Sequence, residues 1–216
     1  WPGSICAAIP TTAATADLII TGEAGSSFAY SLTSGDFNAD GKIDLAIPAW
    51  GYATNLGRAY IFYNDGSIPT TAATADVMID GEAGSYLGNS VRSGDFNADG
   101  KTDLVVGAMN YSSSTGRAYI FYNDGSYPAL ATAADVIMTG GATSNSFGGA
   151  LAVSDFNADG KTDLAVGATG YSSGTGRAYI FYNDGSYPTD AASADVAITG
   201  EATSKFGTAL AAALFA

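Results

Sequence analysis

The chain has 216 residues, of which 28 are Gly and 13 are Tyr, while only 13% are charged, a mixture typical of many short strands joined by tight turns rather than of helices. Its net charge of −13, with eight Lys and Arg, argues against nucleic acid or an anionic membrane surface as a partner. No stretch is long and apolar enough to insert into a bilayer, and the single cysteine, Cys6, excludes an internal disulfide framework.

The first predicted element is a lone apolar run at residues 17–21, which matches the last strand of a unit that then occurs three times. Each unit opens with a strand that carries an aromatic residue, as at residues 147–153. An acidic loop follows, and after it a short, β-branched apolar run predicts a buried second strand at residues 44–47, 103–106 and 163–166.

The second half of each unit predicts two more strands. Strand three reads Gly-Arg-Ala-Tyr-Ile-Phe-Tyr with period-two alternation, and it ends at Asn-Asp-Gly, a strong turn signal. The Ala- and Thr-rich connection that follows, residues 70–75 in the first unit, is short and bounded by Pro69, so we predict a loop. Strand four begins at the next aspartate, which is Asp76 in the first unit, and a lone first strand at residues 206–210 ends the pattern.

The acidic loop is the phrase Asp-Phe-Asn-Ala-Asp-Gly-Lys-x-Asp, which begins at Asp36, Asp95 and Asp155, at intervals of about 60 residues. Two carboxylates held about 4 Å apart near a protein surface repel by roughly 4 kcal/mol, so such a loop folds more favourably around a cation than empty. Oxygen donors at positions 1, 3, 5 and 9, a backbone carbonyl at position 7 and a glycine at position 6 follow the logic of an EF-hand loop and favour Ca²⁺.

We therefore expect three calcium sites, in which the lysine contributes its backbone carbonyl and the other residues their side chains. The expected ligands are Asp36, Asn38, Asp40, Lys42 and Asp44; Asp95, Asn97, Asp99, Lys101 and Asp103; and Asp155, Asn157, Asp159, Lys161 and Asp163. Position 12 is Ile47, Val106 or Val166 instead of Glu, and a strand follows instead of a helix, which excludes an EF-hand or a dockerin loop. The alternative is an Asx-rich turn without metal, which three matching copies disfavour.

Four strands in each unit of about 60 residues predict an all-β fold, a β-propeller of four-stranded antiparallel blades with the calcium loops between strands one and two. The expected organisation is three whole blades plus partial strands at each end. The N-terminal segment is residues 1–25, with an outer strand of a neighbouring blade. The blades are residues 26–80, 85–140 and 145–200, and residues 204–216 form the first strand of a further blade.

The phrase Phe-Gly, followed by the acidic loop and by Asp-Leu-x-Val-Gly-Ala, resembles the FG-GAP repeat of integrin α-subunit propellers and their bacterial relatives. The chain departs from that pattern at Phe28-Ala29 and at Tyr86-Leu87-Gly88, and Met109 and Thr169 replace an expected proline. The resemblance implies a seven-bladed extracellular propeller, with calcium loops on one face and ligand-binding loops on the other. Three blades leave open sheet faces, which self-association or a longer parent chain would cover.

Catalysis is disfavoured, because the chain has no His, and a carboxylate saturated by a cation is a poor general base. The leading hypothesis is a non-enzymatic, extracellular, calcium-binding module that binds a protein or glycan ligand in adhesion. One alternative is a structural subunit of a self-assembling fibre or surface layer, and another is a glycan-binding lectin.

Two sets of repeated side chains allow a binding role or a structural one. The arginines that open strand three could anchor an acidic ligand, but pairing with a carboxylate or stacking on a tyrosine is favoured: Arg58, Arg117 and Arg177. The tyrosines of the loop before it could stack on sugar rings, but closure of that loop is favoured: Tyr52, Tyr111 and Tyr171.

Overall fold

The computed structural model describes residues 12–212, so Cys6 and the last four residues lie outside it. The described chain forms three four-stranded antiparallel sheets, each with its strands in sequence order. The first sheet contains β1 (Thr33–Gly35), β2 (Asp44–Ala49), β3 (Arg58–Phe62) and β4 (Val77–Asp80). The second contains β5 (Ser90–Gly94), β6 (Asp103–Ala108), β7 (Arg117–Phe121) and β8 (Val136–Thr139). The third contains β9 (Phe147–Ser154), β10 (Asp163–Ala168), β11 (Arg177–Phe181) and β12 (Val196–Thr199).

The second strand of a sheet is buried on both faces. All six residues of β6 are buried, and alternate side chains belong to different cores. Leu104 and Val106 pack into the core shared with the first sheet, whereas Val105 packs into the core shared with the third sheet. A strand places successive side chains on opposite faces, so this division shows that β6 lies between two neighbouring sheets. The all-β prediction of propeller blades is confirmed.

Neighbouring sheets are also joined by backbone bridges at the same place in each unit. Gly116 forms a parallel bridge with Phe147, and the same bridge joins Gly57 to Leu87 and Gly176 to Phe206. Gly116 has a φ of 80°, and a Cβ there would lie 2.1 Å from the carbonyl oxygen of Phe147. Only glycine allows this approach, so the first residue of the strand-three phrase is fixed by the joint between blades.

The short helical segments are turns between strands. The three α-type turns follow the second strands, at Tyr52–Asn55, Tyr111–Ser114 and Tyr171–Gly174, and each contains left-handed residues. The 3₁₀ turns are Ala13–Thr15, Ala72–Thr74, Ala131–Ala133 and Ala191–Ser193. The connection at residues 70–75, predicted to be a loop, therefore contains one turn of 3₁₀ helix, because Ala72 is fully buried and its carbonyl accepts the amide of Ala75.

The expected boundaries need small corrections. Strand four of the first sheet begins at Val77, one residue after Asp76, whose carboxylate accepts the backbone amide of Tyr63. The runs at residues 17–21 and 206–210 form no ladder in the described chain. Each makes a single parallel bridge, Thr21 with Thr71 and Phe206 with Gly176, since no third strand of a further blade lies beside them among residues 12–212.

Candidate metal loops and an aromatic cavity

The acidic loops are closed by side-chain oxygens that accept backbone amides. Asp36 accepts the amides of Asp40 (3.0 Å) and Gly41 (2.8 Å), and Asn38 accepts the amide of Asp40 (3.0 Å). The second and third loops repeat all three bonds at 2.8–3.0 Å. The side-chain oxygens at positions 1 and 3 accept the same backbone amide, so they lie close together. The intervening alanine adopts the left-handed conformation in each copy, with φ near 60° at Ala39.

The ninth residue of each loop has a further structural role. Asp103 is fully buried, and its carboxylate accepts the amide of Phe96 (2.8 Å) and the amide of Asn123 (2.7 Å). Asp44 and Asp163 repeat this pair of bonds. Burial raises the pKa of Asp103 to about 6; the two amides oppose that rise, and the charges of Asp99 and Asp95 add to it. In this second loop, the charges of the neighbouring carboxylates therefore act against the ionised form of Asp103.

In the first two loops, the lysine at position 7 lies beside the carboxylate at position 5. Lys42 Nζ is 3.1 Å from Asp40 Oδ2, and the Lys42 amide donates to Asp40 Oδ1 at 2.9 Å. The backbone bond from Lys42 is the main cause that lowers the pKa of Asp40. In the second loop, Lys101 Nζ is 3.8 Å from Asp99 and donates to the Asn123 carbonyl. The lysine ammonium supplies part of the positive charge that the acidic loop needs.

The side-chain oxygens of the loop are ligands of the chemical type that a hard cation prefers. Positions 1, 3 and 9 are linked through neighbouring amides, and every side-chain donor is an oxygen. Within residues 12–212, however, no three His, Cys, Asp or Glu side chains are arranged to hold an ion. In the first loop, the carboxylates of Asp36 and Asp44 accept backbone amides, and Asp40 contacts the lysine ammonium. The calcium ligands therefore stay a prediction.

The repeated arginines and tyrosines pack against each other. The guanidinium carbon of Arg117 lies 3.6 Å from the ring centroid of Tyr111, and the distances in the other blades are 3.8 Å (Arg58 over Tyr52) and 3.7 Å (Arg177 over Tyr171). Arg58 also pairs with Asp80, and Arg117 pairs with Glu82. The predicted structural role of these arginines, pairing with a carboxylate or stacking on a tyrosine, is confirmed in all three blades, in the third by stacking on Tyr171. One face of each tyrosine is covered, which disfavours sugar stacking there.

A cavity of about 350 Å³ lies at the strand ends remote from the acidic loops. The acidic loop precedes Asp44 at the start of β2, whereas Trp50 of the cavity follows the end of that strand. Trp50 stacks on Tyr86 with the ring centroids 5.5 Å apart, and Tyr30 meets Trp50 edge-on at 6.5 Å. The other lining residues are Asn89, Met109, Gly149, Thr169 and Thr208.

Sequence reasoning missed this cavity, although the repeats carry a signal for it. Two repeat positions line the cavity in successive blades. The first position directly follows strand two and is Trp50, Met109 or Thr169. The second position lies two residues after the Phe or Leu that opens the repeat, and it is Tyr30, Asn89, Gly149 or Thr208. These positions differ from blade to blade, although the blades also differ elsewhere, as at residues 53–56, 112–115 and 172–175. Comparing the repeats position by position would have marked the lining positions among others.

Comparison with known proteins agrees with this geometry. The FG-GAP repeat model matches residues 28–62, 87–121 and 147–181, one match in each sheet. The chain belongs to the FG-GAP repeat family. Integrin alpha-PS5 of Drosophila melanogaster is 35% identical over 159 residues, covering 70% of this chain and 15% of that protein. Integrin alpha-IIb of Mus musculus is 36% identical over 165 residues, with the same coverage of each chain.

An enzyme also carries similar FG-GAP repeats. Phosphatidylinositol-glycan-specific phospholipase D of Mus musculus is 46% identical over 107 residues, which cover 44% of this chain and 13% of the phospholipase. The chain thus spans about a seventh of the length of the relatives it matches. Within residues 12–212, no helix has the length and apolar character needed to cross a membrane.

Proposed function

We propose that this chain is part of an extracellular FG-GAP propeller that binds Ca²⁺ in its three acidic loops and a ligand in the aromatic cavity, without catalysis. The observation that carries the ligand-binding role is the aromatic wall of the cavity, formed by Trp50, Tyr86 and Tyr30, together with lining positions that differ from blade to blade. A scaffold needs equal blades, whereas a specific binding site needs different side chains around one point. Adhesion through such a site is consistent with the integrin relatives.

The cavity has the chemistry of a site for an apolar or aromatic group. Its volume of about 350 Å³ lies within the usual range for ligand pockets, which are mostly apolar with a few polar groups. Trp and Tyr are enriched among residues that dominate binding energy, and here Trp50, Tyr86 and Tyr30 form one wall. Asn89 uses its amide on Gly148, Gly149 and Met109, so it holds the neighbouring backbone in place.

Binding without catalysis is supported by the same lining. The chain contains no His, and the cavity residues include no Asp, Glu, Lys or Cys that could act as an acid, base or nucleophile. The phospholipase relative is an enzyme by its name, but its match to this chain covers 13% of its length. An extracellular location is supported by the integrin relatives and by loops of a type that suits millimolar calcium.

In the calcium loops, the residues that would hold the ion are those at positions 1, 3, 5, 7 and 9. Ca²⁺ takes six to eight oxygen ligands, so waters would complete the set. The ion would supply charge that offsets the carboxylate repulsion noted at Asp103. Because these loops connect strands one and two, ion binding would tie the inner half of each blade together.

One observation supports a structural role, in which this chain forms part of a larger closed assembly of blades. A Cβ on Gly35 would lie 2.4 Å from the methyl of Thr102, so Thr102 packs against the preceding sheet, as Thr162 does at Gly94. The corresponding residue of the first sheet is Ile43, which is 60% exposed. Further blades, from a second copy or a longer chain, would cover Ile43. Light scattering with and without a chelator tests assembly by copies.

The ligand-binding proposal is tested with the fluorescence of Trp50. The variant Trp1→Phe leaves Trp50 as the only tryptophan. Peptides selected from a displayed library against this variant at about 1 mM Ca²⁺ should change Trp50 emission and lose affinity when Tyr86 is replaced by Ala. Ile43→Ala, at the opposite strand ends, is the matched control. If the selected peptides bind the Tyr86→Ala variant as well as its parent, the cavity is not the ligand site.

A further inference from the structure

We propose that the third blade carries a binding site for a carboxylate group from outside the chain, formed by Arg177 and Tyr179. The first two blades hold a glutamate of their own at the corresponding place. Neither residue lines the aromatic cavity or belongs to an acidic loop, and the site does not depend on the function proposed for either.

The second blade shows the filled form of the arrangement. Glu82 Oε1 accepts a hydrogen bond from Arg117 Nη1 at 2.7 Å and another from the Tyr119 hydroxyl at 2.6 Å. Glu82 belongs to the turn after β4, so the carboxylate of one blade joins the strand-three side chains of the next. The first blade repeats this: Glu23 accepts from the Tyr60 hydroxyl at 3.0 Å and lies 3.8 Å from Arg58.

In the third blade the glutamate is replaced by glycine. The repeat reads Gly22-Glu23 and Gly81-Glu82, and the third copy reads Gly140-Gly141. Gly141 is exposed, and a Cβ built on it would meet no atom within 4 Å. The place that a glutamate side chain occupies in the other two blades is therefore open to solvent.

The two donors keep their positions although the acceptor has gone. Arg177 Nε donates to Thr199 Oγ1 at 2.8 Å, as Arg117 Nε donates to Thr139 Oγ1 at 3.2 Å. The Arg177 guanidinium also lies over Tyr171 as Arg117 lies over Tyr111. Tyr179 is 4% exposed. The site is thus held in the geometry that binds a carboxylate in the second blade.

The number of carboxylates paired with the strand-three arginine decreases from the first blade to the third. Arg58 pairs with the carboxylates of Asp80 and Glu23, and Arg117 pairs with Glu82. Over residues 12–212, no carboxylate forms an ion pair with Arg177. Burial raises the pKa of both Tyr119 and Tyr179 and the neighbouring arginine lowers both, but only at Tyr119 does a glutamate raise it further. A partly buried guanidinium without a counter-ion binds a carboxylate through charge-assisted hydrogen bonds.

Two sources could supply the carboxylate: a small free acid, or an Asp or Glu side chain of a partner protein. Nuclear magnetic resonance of the arginine Nε–Hε groups observes the site directly. Acetate is exchanged for chloride at a constant ionic strength of about 0.15 M, which keeps screening of the acidic protein unchanged. Arg177 is expected to shift with saturation. Arg117, already bound to Glu82, is expected not to shift.

Two substitutions, each of which gives one blade the residue found at that position in the other, serve as matched controls. In Gly141→Glu, the added carboxylate should move the Arg177 signal without acetate and weaken the acetate response at least about tenfold, the difference expected for losing charge-assisted bonds. In Glu82→Gly, Arg117 should become responsive. Equal shifts of Arg117 and Arg177 in the parent protein, or no acetate shift at Arg177, would overturn the proposal.

A peptide arm separates the two sources. A short peptide containing Glu is compared with its Gln counterpart and with acetate, and all three are followed at Arg177. Tighter binding of the Glu peptide than of acetate, abolished by Gln, indicates a partner side chain. Equal binding of acetate and the Glu peptide indicates a small free carboxylate. A Gln peptide that shifts Arg177 as strongly as the Glu peptide contradicts carboxylate recognition.

Discussion

The buried carboxylate of Asp103 accepts a 2.7 Å hydrogen bond from the backbone amide of Asn123, twenty residues further along the chain. Its other oxygen accepts the amide of Phe96, which lies at the start of the acidic loop. One side chain therefore fastens the loop before β6 to the turn after β7. The same connection occurs in all three blades, so it belongs to the repeat itself.

Replacing Asp103 by Ala should destabilise the fold even without calcium. Two buried amides would lose their acceptor, and each unsatisfied group costs about 1–3 kcal/mol. We expect a loss of roughly 2–5 kcal/mol in urea unfolding measured with a chelator present. Asp124→Ala is the control, because the exposed Asp124 accepts only from Ser126 nearby. Equal stability of the two variants would show that the Asp103 bonds contribute nothing.

Much of this fold follows from local sequence. The β-branched apolar run at residues 103–106 and the period-two alternation of the strand-three phrase predict the strands that form, and the strong Asn-Asp-Gly signal marks the turn after the third strand. The first strand is less regular: Phe28 makes one isolated bridge to Ala49, and the ladder begins only at Thr33. Ala29 has a φ of 63°, which interrupts an extended strand, and a short pattern does not reveal that.

Long-range contacts explain what local sequence does not reveal. A pattern of acidic residues treats Asp103 as one more metal ligand, but one of its amide partners, Asn123, lies after β7, twenty residues further along the chain. Trp50 and Tyr86 are separated by a whole hairpin and meet only because two sheets pack together. The first pair depends on the pairing of β6 with β7 and the second on the packing of neighbouring blades, and a local pattern encodes neither.

Replacing Gly116 by Ala should disrupt the joint between the second and third blades. The added Cβ would lie 2.1 Å from the Phe147 carbonyl, and the φ of 80° is itself costly for alanine. Gly125→Ala shares the positive φ but meets no neighbouring atom. We expect Gly116→Ala to lose at least about 2 kcal/mol more than Gly125→Ala in urea unfolding. If the two losses agree, the close approach between the blades is not required for stability.

The tyrosines of the strand-three phrase should differ in their contribution to stability. Tyr119→Phe removes a hydrogen bond to the Glu82 carboxylate, and bonds to charged groups are worth about 1.5–3 kcal/mol. Tyr179→Phe removes no bond to a carboxylate, whereas both tyrosines have an arginine neighbour, so its cost should be lower by at least about 1 kcal/mol. Thermal and urea unfolding of both variants measure the difference. A larger loss for Tyr179→Phe would contradict the assignment of Glu82 as the partner.

Calcium should raise the melting temperature, and a chelator should lower it. An ion that binds only the folded state stabilises it by about 2.7 kcal/mol per site at a concentration one hundred times the dissociation constant. Scanning calorimetry from chelator to about 1 mM Ca²⁺ follows this effect over the range of extracellular modules. Mg²⁺ is the control ion, because its strict octahedral geometry suits such flexible loops poorly. A melting temperature independent of calcium would exclude a stabilising role for the loops.

Calcium binding by the three acidic loops is the central claim, and titration calorimetry with Ca²⁺ tests it. The parent protein should bind three ions per chain. Asp40→Ala, Asp99→Ala and Asp159→Ala should each remove one ion, because each replaces the carboxylate at position 5 of one loop. This side chain is exposed, whereas Asp103 at position 9 of its loop is buried. A variant carrying all three changes that still bound three ions, or a parent protein that bound none, would contradict the account.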